Sequence, residues 1–267
     1  MFYFDDFFGK KILKSDLLSE YDCFFTTRDF VLTPAQRKDL IEEANKNRFF
    51  LSEKLNNKDI KTANQVHGTN IEIITQDNSF YENTDAMISN IPGSVFIMNF
   101  ADCVPIILYS KKDNTGAIVH AGWRGTSDKI AEKTVFKMKN ELNIPAENIT
   151  ALIGPSIGKC CFETHEDVFN KLIYAKENNS VSQTIASIYE TQGYSENSEY
   201  SIKNNKYFID LKELNKKQLI NSGVLNIDIC DYCTCCMSDI FFSYRKENSV
   251  TARHSAVVKI KEGNICL

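Results

Sequence analysis

Apolar runs and amphipathic stretches alternate along most of the chain. The segments "SVFIMNF" (Ser94 to Phe100), "VPIILY" (Val104 to Tyr109) and "GAIVH" (Gly116 to His120) are almost continuously apolar. Such runs predict strands covered on both faces, not strands with one wet side. "SDKIAEKTVFKMKNEL", Ser127 to Leu142, changes period: Ile130, Ala131, Val135, Met138 and Leu142 fall on one helical face, and Thr126 or Ser127 offers an N-cap. "NITALIGPSIG" predicts a strand and a turn, and "LKELNKKQLINSG" a helix ended by Gly223. "FFSYR" and "SAVVKI" predict two closing strands. Residues 174–206 break the pattern. They are rich in Asn, Ser and Glu and predict a polar insertion, with a short helix possible in its middle. No internal repeat or interdomain linker is visible, so residues 1–267 read as one α+β domain around a composite core.

Length and composition add boundaries. A chain of 267 residues, 43% hydrophobic and 25% charged, can bury a sizeable core. A net charge of -4 argues against a nucleic-acid partner. No apolar run approaches the roughly 20 residues that span a bilayer, so no membrane partner is expected. The opening "MFYFDDFFGKKIL" is broken by Asp5 and Asp6 and lacks the parts of a signal peptide. The expected location is cytoplasmic, where the nine cysteines remain mostly thiols. Nothing in the sequence fixes an oligomeric state; a monomer is the working expectation.

Three polar residues sit at the edges of apolar segments: His67 in "NQVHGTNI", Cys103 in "NFADCVPIIL" and His120 in "IVHAGWRG". Two imidazoles and a thiolate suit zinc, with a fourth position left for water or substrate. They lie too far apart for a compact ligand motif. The residues alone favour a plainer reading, two hydrogen-bonded histidines and a small core cysteine. After His120, Gly122, Trp123, Arg124 and Gly125 lead into a helix start. Free backbone N–H groups there, with Arg124 as a clamp, suit an anion. A surface ion pair for Arg124 and core packing for Trp123 fit equally well.

Taken together, "NQVHG", "TDAMIS", "ADCVPIIL", "VHAGWRG", "GPSIG" and "CTCCMSDIFFSYR" resemble, in order and spacing, the YfiH/YlmD family, often labelled polyphenol oxidase or peptidoglycan editing factor. The match runs from about Phe24 to the C-terminus. The resemblance implies a four-layer αββα sandwich with mixed sheets and a zinc site in a surface pocket, with His67, Cys103 and His120 as ligands. It implies phosphorolysis of adenosine, inosine, guanosine or methylthioadenosine by phosphate, and some adenosine deamination. On that reading Arg124 holds phosphate and Asp102 is an acid, a base or a residue that orients a ligand. Arg245 contacts phosphate or ribose, or forms a structural salt bridge. His165 and His254 carry no motif.

The oxidase label is physically testable. A His2Cys trio can bind copper, but a laccase also needs a trinuclear copper cluster. After His67 and His120, only His165 and His254 remain to build it. A multicopper oxidase is therefore not expected. Two other classes fit the same motifs: a zinc hydrolase acting on a peptidoglycan precursor, and a non-enzymatic binding protein that keeps the fold.

The chain departs from the family in three places. After "FFTTRDF", which contains Arg28, the usual Gly-Gly-Val-Ser segment is replaced by "VLTPAQRKDL". The polar insertion is long. "CDYCTCCM" holds Cys230, Cys233, Cys235 and Cys236, of which only Cys233 fits the family pattern. Together with Cys160 and Cys161 these offer ligands for a second, structural zinc. Ordinary reduced thiols are the expectation.

Overall fold

Val104–Ser110 is buried at every position because it lies inside a six-stranded sheet that is covered on both faces. Strand geometry sends alternate side chains to opposite sides. Val104, Ile106 and Leu108 pack toward helices, and Ile107 and Tyr109 pack toward a second sheet. The neighbouring strand Thr115–Ala121 divides in the same way, with Ala117, Val119 and Ala121 on the helical side and Ile118 between the sheets. His120 shares the parity of Ile118, which sends its ring inward, 5.5 Å from that of Phe100.

The computed structural model describes residues 1–173, 194–196, 198–203 and 206–262. The six-stranded sheet runs in the order Asn226–Ile229, Ile149–Ile153, Val104–Ser110, Thr115–Ala121, Ala86–Ser89, Ile71–Ile73, with the outer pair at each edge parallel. The second sheet has five antiparallel strands, ordered Phe2–Phe7, Lys10–Ser15, Cys23–Thr26, His254–Lys259, Val95–Phe100. Phe25, Phe96, Met98, Ala256 and Val258 fill the space between the sheets with Met87, Ile107, Ile118 and Leu152. The sheets approach so closely that a Cβ on Gly154 would lie 2.4 Å from the ring of Phe25. On the outer face of the five-stranded sheet, Phe24, Ile97 and Val257 meet Leu51 of helix Ile41–Lys54. On the far side of the other sheet lie helices Ile130–Leu142, Glu166–Ile173 and Leu211–Asn221. This is the expected order of helix, sheet, sheet, helix. Each fully buried Ile, Leu or Phe contributes roughly 1.5–3 kcal/mol to holding the layers together. Among the described residues no helix is long and apolar enough to cross a membrane.

Two local expectations need correction. Thr126 and Ser127 do not cap the long helix. Trp123–Ser127 is a short helix of its own, and Lys129, at φ +61°, separates it from Ile130–Leu142. Thr126 is held elsewhere: its hydroxyl accepts from Asn215 at 2.9 Å and its carbonyl from Gln218 at 2.7 Å. "FFSYR" is a series of turns, not a strand. Its backbone groups bond locally, Phe241 N to Met237 O and Glu247 N to Ser243 O, while Phe241 and Phe242 are buried in succession without alternating. Cys103 lies in a bend between Val95–Phe100 and Val104–Ser110, at the edge of the apolar runs. Where the polar insertion is described, a small antiparallel sheet runs in the order Glu163–Thr164, Lys206–Ile209, Tyr200–Lys203, Tyr194–Glu196. Its middle, which could form a short helix, lies outside the described residues. Gly223, at φ +94°, follows helix Leu211–Asn221 as predicted.

His254 is wholly buried, with its ring 5.6 Å from Phe241 and 6.4 Å from Phe100. Burial pushes it down to about 3, against the pull of the Pro155 carbonyl. An unfolded histidine takes up a proton near pH 6.5, whereas the native one does not until far lower pH. This group's share of stability is therefore complete above about pH 6.5 and falls by up to about 1.4 kcal/mol per pH unit toward pH 3. His254→Leu should flatten the acid limb of stability, measured as urea midpoints between about pH 6 and 4. An unchanged slope would remove His254 from that role.

Candidate metal centre and its pocket

Asp85 begins the site. It stands at the head of the apolar strand Ala86–Ser89 and is completely buried. A buried carboxylate must be met by donors. Here they are the backbone N–H groups of His67 at 2.9 Å, Gly68 at 2.7 Å and Val66 at 3.3 Å, and the imidazole Nδ1 of His120 at 2.7 Å. The Asp85 carbonyl also accepts from the His120 N–H at 2.7 Å. One residue thus fixes both histidines. Since Nδ1 of His120 faces the carboxylate, Nε2 is the ring atom left to act as a ligand. Gln65 ties the same loop to strand Val95–Phe100, with its amide donating to Asn99 O and accepting from Asn99 N, each at 2.8 Å.

Cys103 completes the trio. The ligand atoms of His67, Cys103 and His120 all lie within 4.8 Å of one another, and the two imidazole rings are 4.7 Å apart at 76°. His120 is buried, Cys103 half-buried and His67 exposed, so the group spans from the core to the surface. Gly122 passes close behind it. A Cβ there would lie 3.1 Å from both Cys103 Sγ and His67 Cδ2. His67 at φ +63° and Asp102 at φ +87° hold strained backbone. Each costs on the order of 1–2 kcal/mol. Asp85 holds the first in place. The second is held by Thr234 Oγ1 and Arg245 N donating to its carboxylate at 2.6 and 2.7 Å, and by Ile157 N donating to its carbonyl at 2.9 Å.

The charges are mutually adjusted. Burial pushes Cys103 up, but the charge of His120 and hydrogen bonds from both histidines outweigh it and bring the thiol down to about 6. Burial pushes His120 down, and the Cys103 and Asp85 charges draw it up to about 9. For Asp85, burial pulls upward and the His120 interaction prevails, holding it below its ordinary value. Near neutral pH the trio therefore carries a thiolate, the form that binds metal, beside a proton that a metal ion can replace.

The trio forms part of the wall of a cavity of about 590 Å3. Trp123, Phe162 and Tyr244 give it aromatic surface, and Asn64, Arg245 and Arg253 give it polar groups. Asp102 also lines it, with both carboxylate oxygens already accepting hydrogen bonds. Arg245 reaches the wall with NH1 and NH2 donating to the carbonyls of Cys161 and Glu163, each at 3.1 Å. Arg124 is exposed, its guanidinium stacked 4.3 Å over Trp123, and is not among the lining residues. Arg28 pairs with Glu247 and packs over Phe242. Sequence reasoning missed Asp85, Gln65 and Arg253. The signal for Asp85 was available: an acidic residue opening the otherwise apolar segment "TDAMIS".

If Asp85 orients both histidines, Asp85→Asn should weaken metal binding about 10- to 100-fold while the chain still folds. Gly122→Ala should weaken it as well by displacing Cys103 or His67. Competition with a chromophoric chelator measures both, and wild-type affinity in the two variants would refute this account of the site.

The model of the family described as "Multi-copper polyphenol oxidoreductase laccase" matches residues 33–261. A purine nucleoside phosphorylase of Clostridium acetobutylicum is 34% identical over 213 residues, covering 79% of this chain and 81% of that one. The purine nucleoside phosphorylase YfiH of Escherichia coli is 30% identical over 207 residues, with 78% and 76% covered. Among solved structures, YlmD of Geobacillus stearothermophilus superposes with a TM-score of 0.79 at 25% identity, over 97% of this chain and 99% of that one. The Bacillus licheniformis protein YfiH gives 0.80 at 24% identity with the same coverage. The chain belongs to this laccase-described family, that of YfiH and YlmD.

Proposed function

We propose that the protein is a purine nucleoside phosphorylase in which His67, Cys103 and His120 hold zinc. The observation that carries this reading is a His2Cys trio in the wall of a cavity of nucleoside dimensions that also presents two arginines. The names of relatives at 30–34% identity support it. Three protein ligands leave one position open, as catalytic zinc requires. Zinc bound there supplies Lewis acidity and eases the ionisation of water.

The remaining roles belong to the chain. Trp123, Phe162 and Tyr244 offer flat faces to a purine. Arg245 and Arg253 clamp phosphate, Arg253 being braced by NH1 on the carbonyls of Thr251 and Ala252, each at 3.0 Å. A phosphate oxygen attacks C1′ of the ribose and the C1′–N bond breaks. Its electron pair leaves with the purine, which takes up the proton that hydrogen phosphate gives up, so the products are free base and ribose 1-phosphate. In this reading Asp102 is a positioning residue, because its oxygens already hold Thr234 and the backbone of Arg245. Arg124 gives up the phosphate role to Arg253. Adenosine, inosine, guanosine and methylthioadenosine share the chemistry. Adenosine deamination is proposed for the same pocket, where water would add at C6 of the purine and the C6–N bond would break to release ammonia and leave inosine.

The test is chromatography of adenosine and inosine incubated with metal-analysed protein, with and without phosphate. Adenine and hypoxanthine should appear only with phosphate and disappear in His120→Ala. Inosine formed from adenosine without phosphate reports deamination. Arg253→Gln should raise KM for phosphate about 10- to 100-fold, the loss of one charge-assisted contact of roughly 1.5–3 kcal/mol. Arg124→Ala separates this assignment from the sequence expectation by leaving that KM unchanged. Zinc-loaded protein that releases no base would overturn the reading.

A further inference from the structure

A second group of ligand atoms lies outside the pocket's lining, next to the loops that carry Ile157 and Phe162, and is built from residues the proposed reaction does not use. The thiols of Cys160, Cys161, Cys233 and Cys236 are all within 4.8 Å of one another. Cys236 Sγ lies 3.6 Å from that of Cys160 and 3.4 Å from that of Cys161. Sulfurs about 2.3 Å from one zinc ion in a tetrahedron would be roughly 3.8 Å apart. Cys233 and Cys236 form a C-x-x-C step in the loop after Asn226–Ile229, and Cys160 and Cys161 follow the turn after Ile149–Ile153. The Gly158 N–H donates to Cys233 Sγ at 3.2 Å, a contact that favours thiolate. Cys230 takes no part: it is buried between the sheets. Cys235 neighbours Cys161 but lies outside the four. The sequence expectation of ordinary thiols rested on spacing within one loop. The fold brings together two loops more than 70 residues apart in sequence.

We propose that Cys160, Cys161, Cys233 and Cys236 bind a second zinc ion as a closed, structural tetrathiolate site. Four protein ligands leave no open position, unlike the trio around His120. The site staples two loops that shape the pocket. The Cys161 carbonyl receives the guanidinium of Arg245, Thr234 beside Cys233 donates to Asp102, and Ile157 and Phe162 on either side of the cysteine pair line the cavity. Its role is to hold this wall, and it stands whatever the substrate is.

Protein purified under reducing, zinc-replete conditions should carry two zinc ions per chain by elemental analysis. His120→Ala should lose one and Cys236→Ser the other, while Cys235→Ser retains both. A tetrathiolate site also has a signature that requires no folded cysteine variant. Cobalt-substituted His120→Ala should show the intense sulfur-to-cobalt charge transfer and tetrahedral ligand-field bands of four thiolates. Cobalt bands lacking that pattern, zinc loss in Cys235→Ser, or no zinc beyond that held by the His120 site would overturn the proposal. So would an intact mass about 2 Da low per bridge under these conditions, because the thiols would then be paired as disulfides. Failure of phosphorolysis with two zinc ions present would leave this site standing and count only against the nucleoside reading.

Discussion

The buried charge of Asp85 constrains this structure more than any other single group. Its carboxylate lies between the sheet and the loop that carries His67, and all its bonded donors come from the metal centre's own chain segments. Without them it would be an uncompensated charge in the core, which is among the costliest defects a fold can contain. The demands run both ways. The carboxylate needs the left-handed turn at His67 to bring three N–H groups onto it, and that turn needs the carboxylate to offset its strain. The result is a loop whose shape is set by electrostatics and a histidine whose tautomer is set by the same oxygens. A metal ion would add a positive charge to a cluster already carrying Asp85 and the Cys103 thiolate.

The layered fold follows from simple alternation. Val104–Ser110 and Thr115–Ala121 read as strands buried on both faces because every second residue must be apolar for the helices and every other one for the opposing sheet. Ile130–Leu142 is recognisable for the complementary reason, its apolar face repeating at the helical period. What failed to read were segments whose conformation depends on distant partners. Thr126 looks like a cap, but Asn215 and Gln218, some 90 positions away, occupy it. "FFSYR" has strand composition, yet Phe241 packs between the sheets, Phe242 packs with Val31, Ala44 and Ala252, and the backbone turns on itself. Local propensity cannot report contacts of that range.

The site was legible to the same extent and for the same reason. His67, Cys103 and His120 could be marked as polar residues at the ends of apolar runs, but separately they favoured the plainer reading; proximity is a property of the fold. Asp102 could be marked too, though not its left-handed backbone, which moves Cys103 out of strand register. Arg124 drew attention through its turn, and Arg253, in a plainer setting, did not. The structure reverses their exposure to the pocket because Trp123 turns inward and its neighbour lies over it at the surface.

The family description speaks of many coppers, and the fold allows a sharper test of it than a histidine count. His120 has one ring nitrogen committed to Asp85, and His67 stands opposite it. His254 is sealed between the sheets beside Phe100 and Phe241, out of reach of solvent or of any added metal at the trio. His165 is exposed, beside Glu163 and Lys206 in a different surface depression, not in the cavity that holds the trio. The four imidazoles therefore occupy three separate environments, and only one of these brings two together. A trinuclear cluster needs many imidazoles around one volume, whatever ion fills it. The other ligand-rich volume in the described residues is lined by sulfur. Thiolates of that kind suit zinc or cuprous copper and not the imidazole-bound cupric ions that an oxidase cycles. The described residues therefore offer two groups that could hold a metal ion, one His2Cys and one of four thiols, and neither has the imidazoles of a trinuclear cluster.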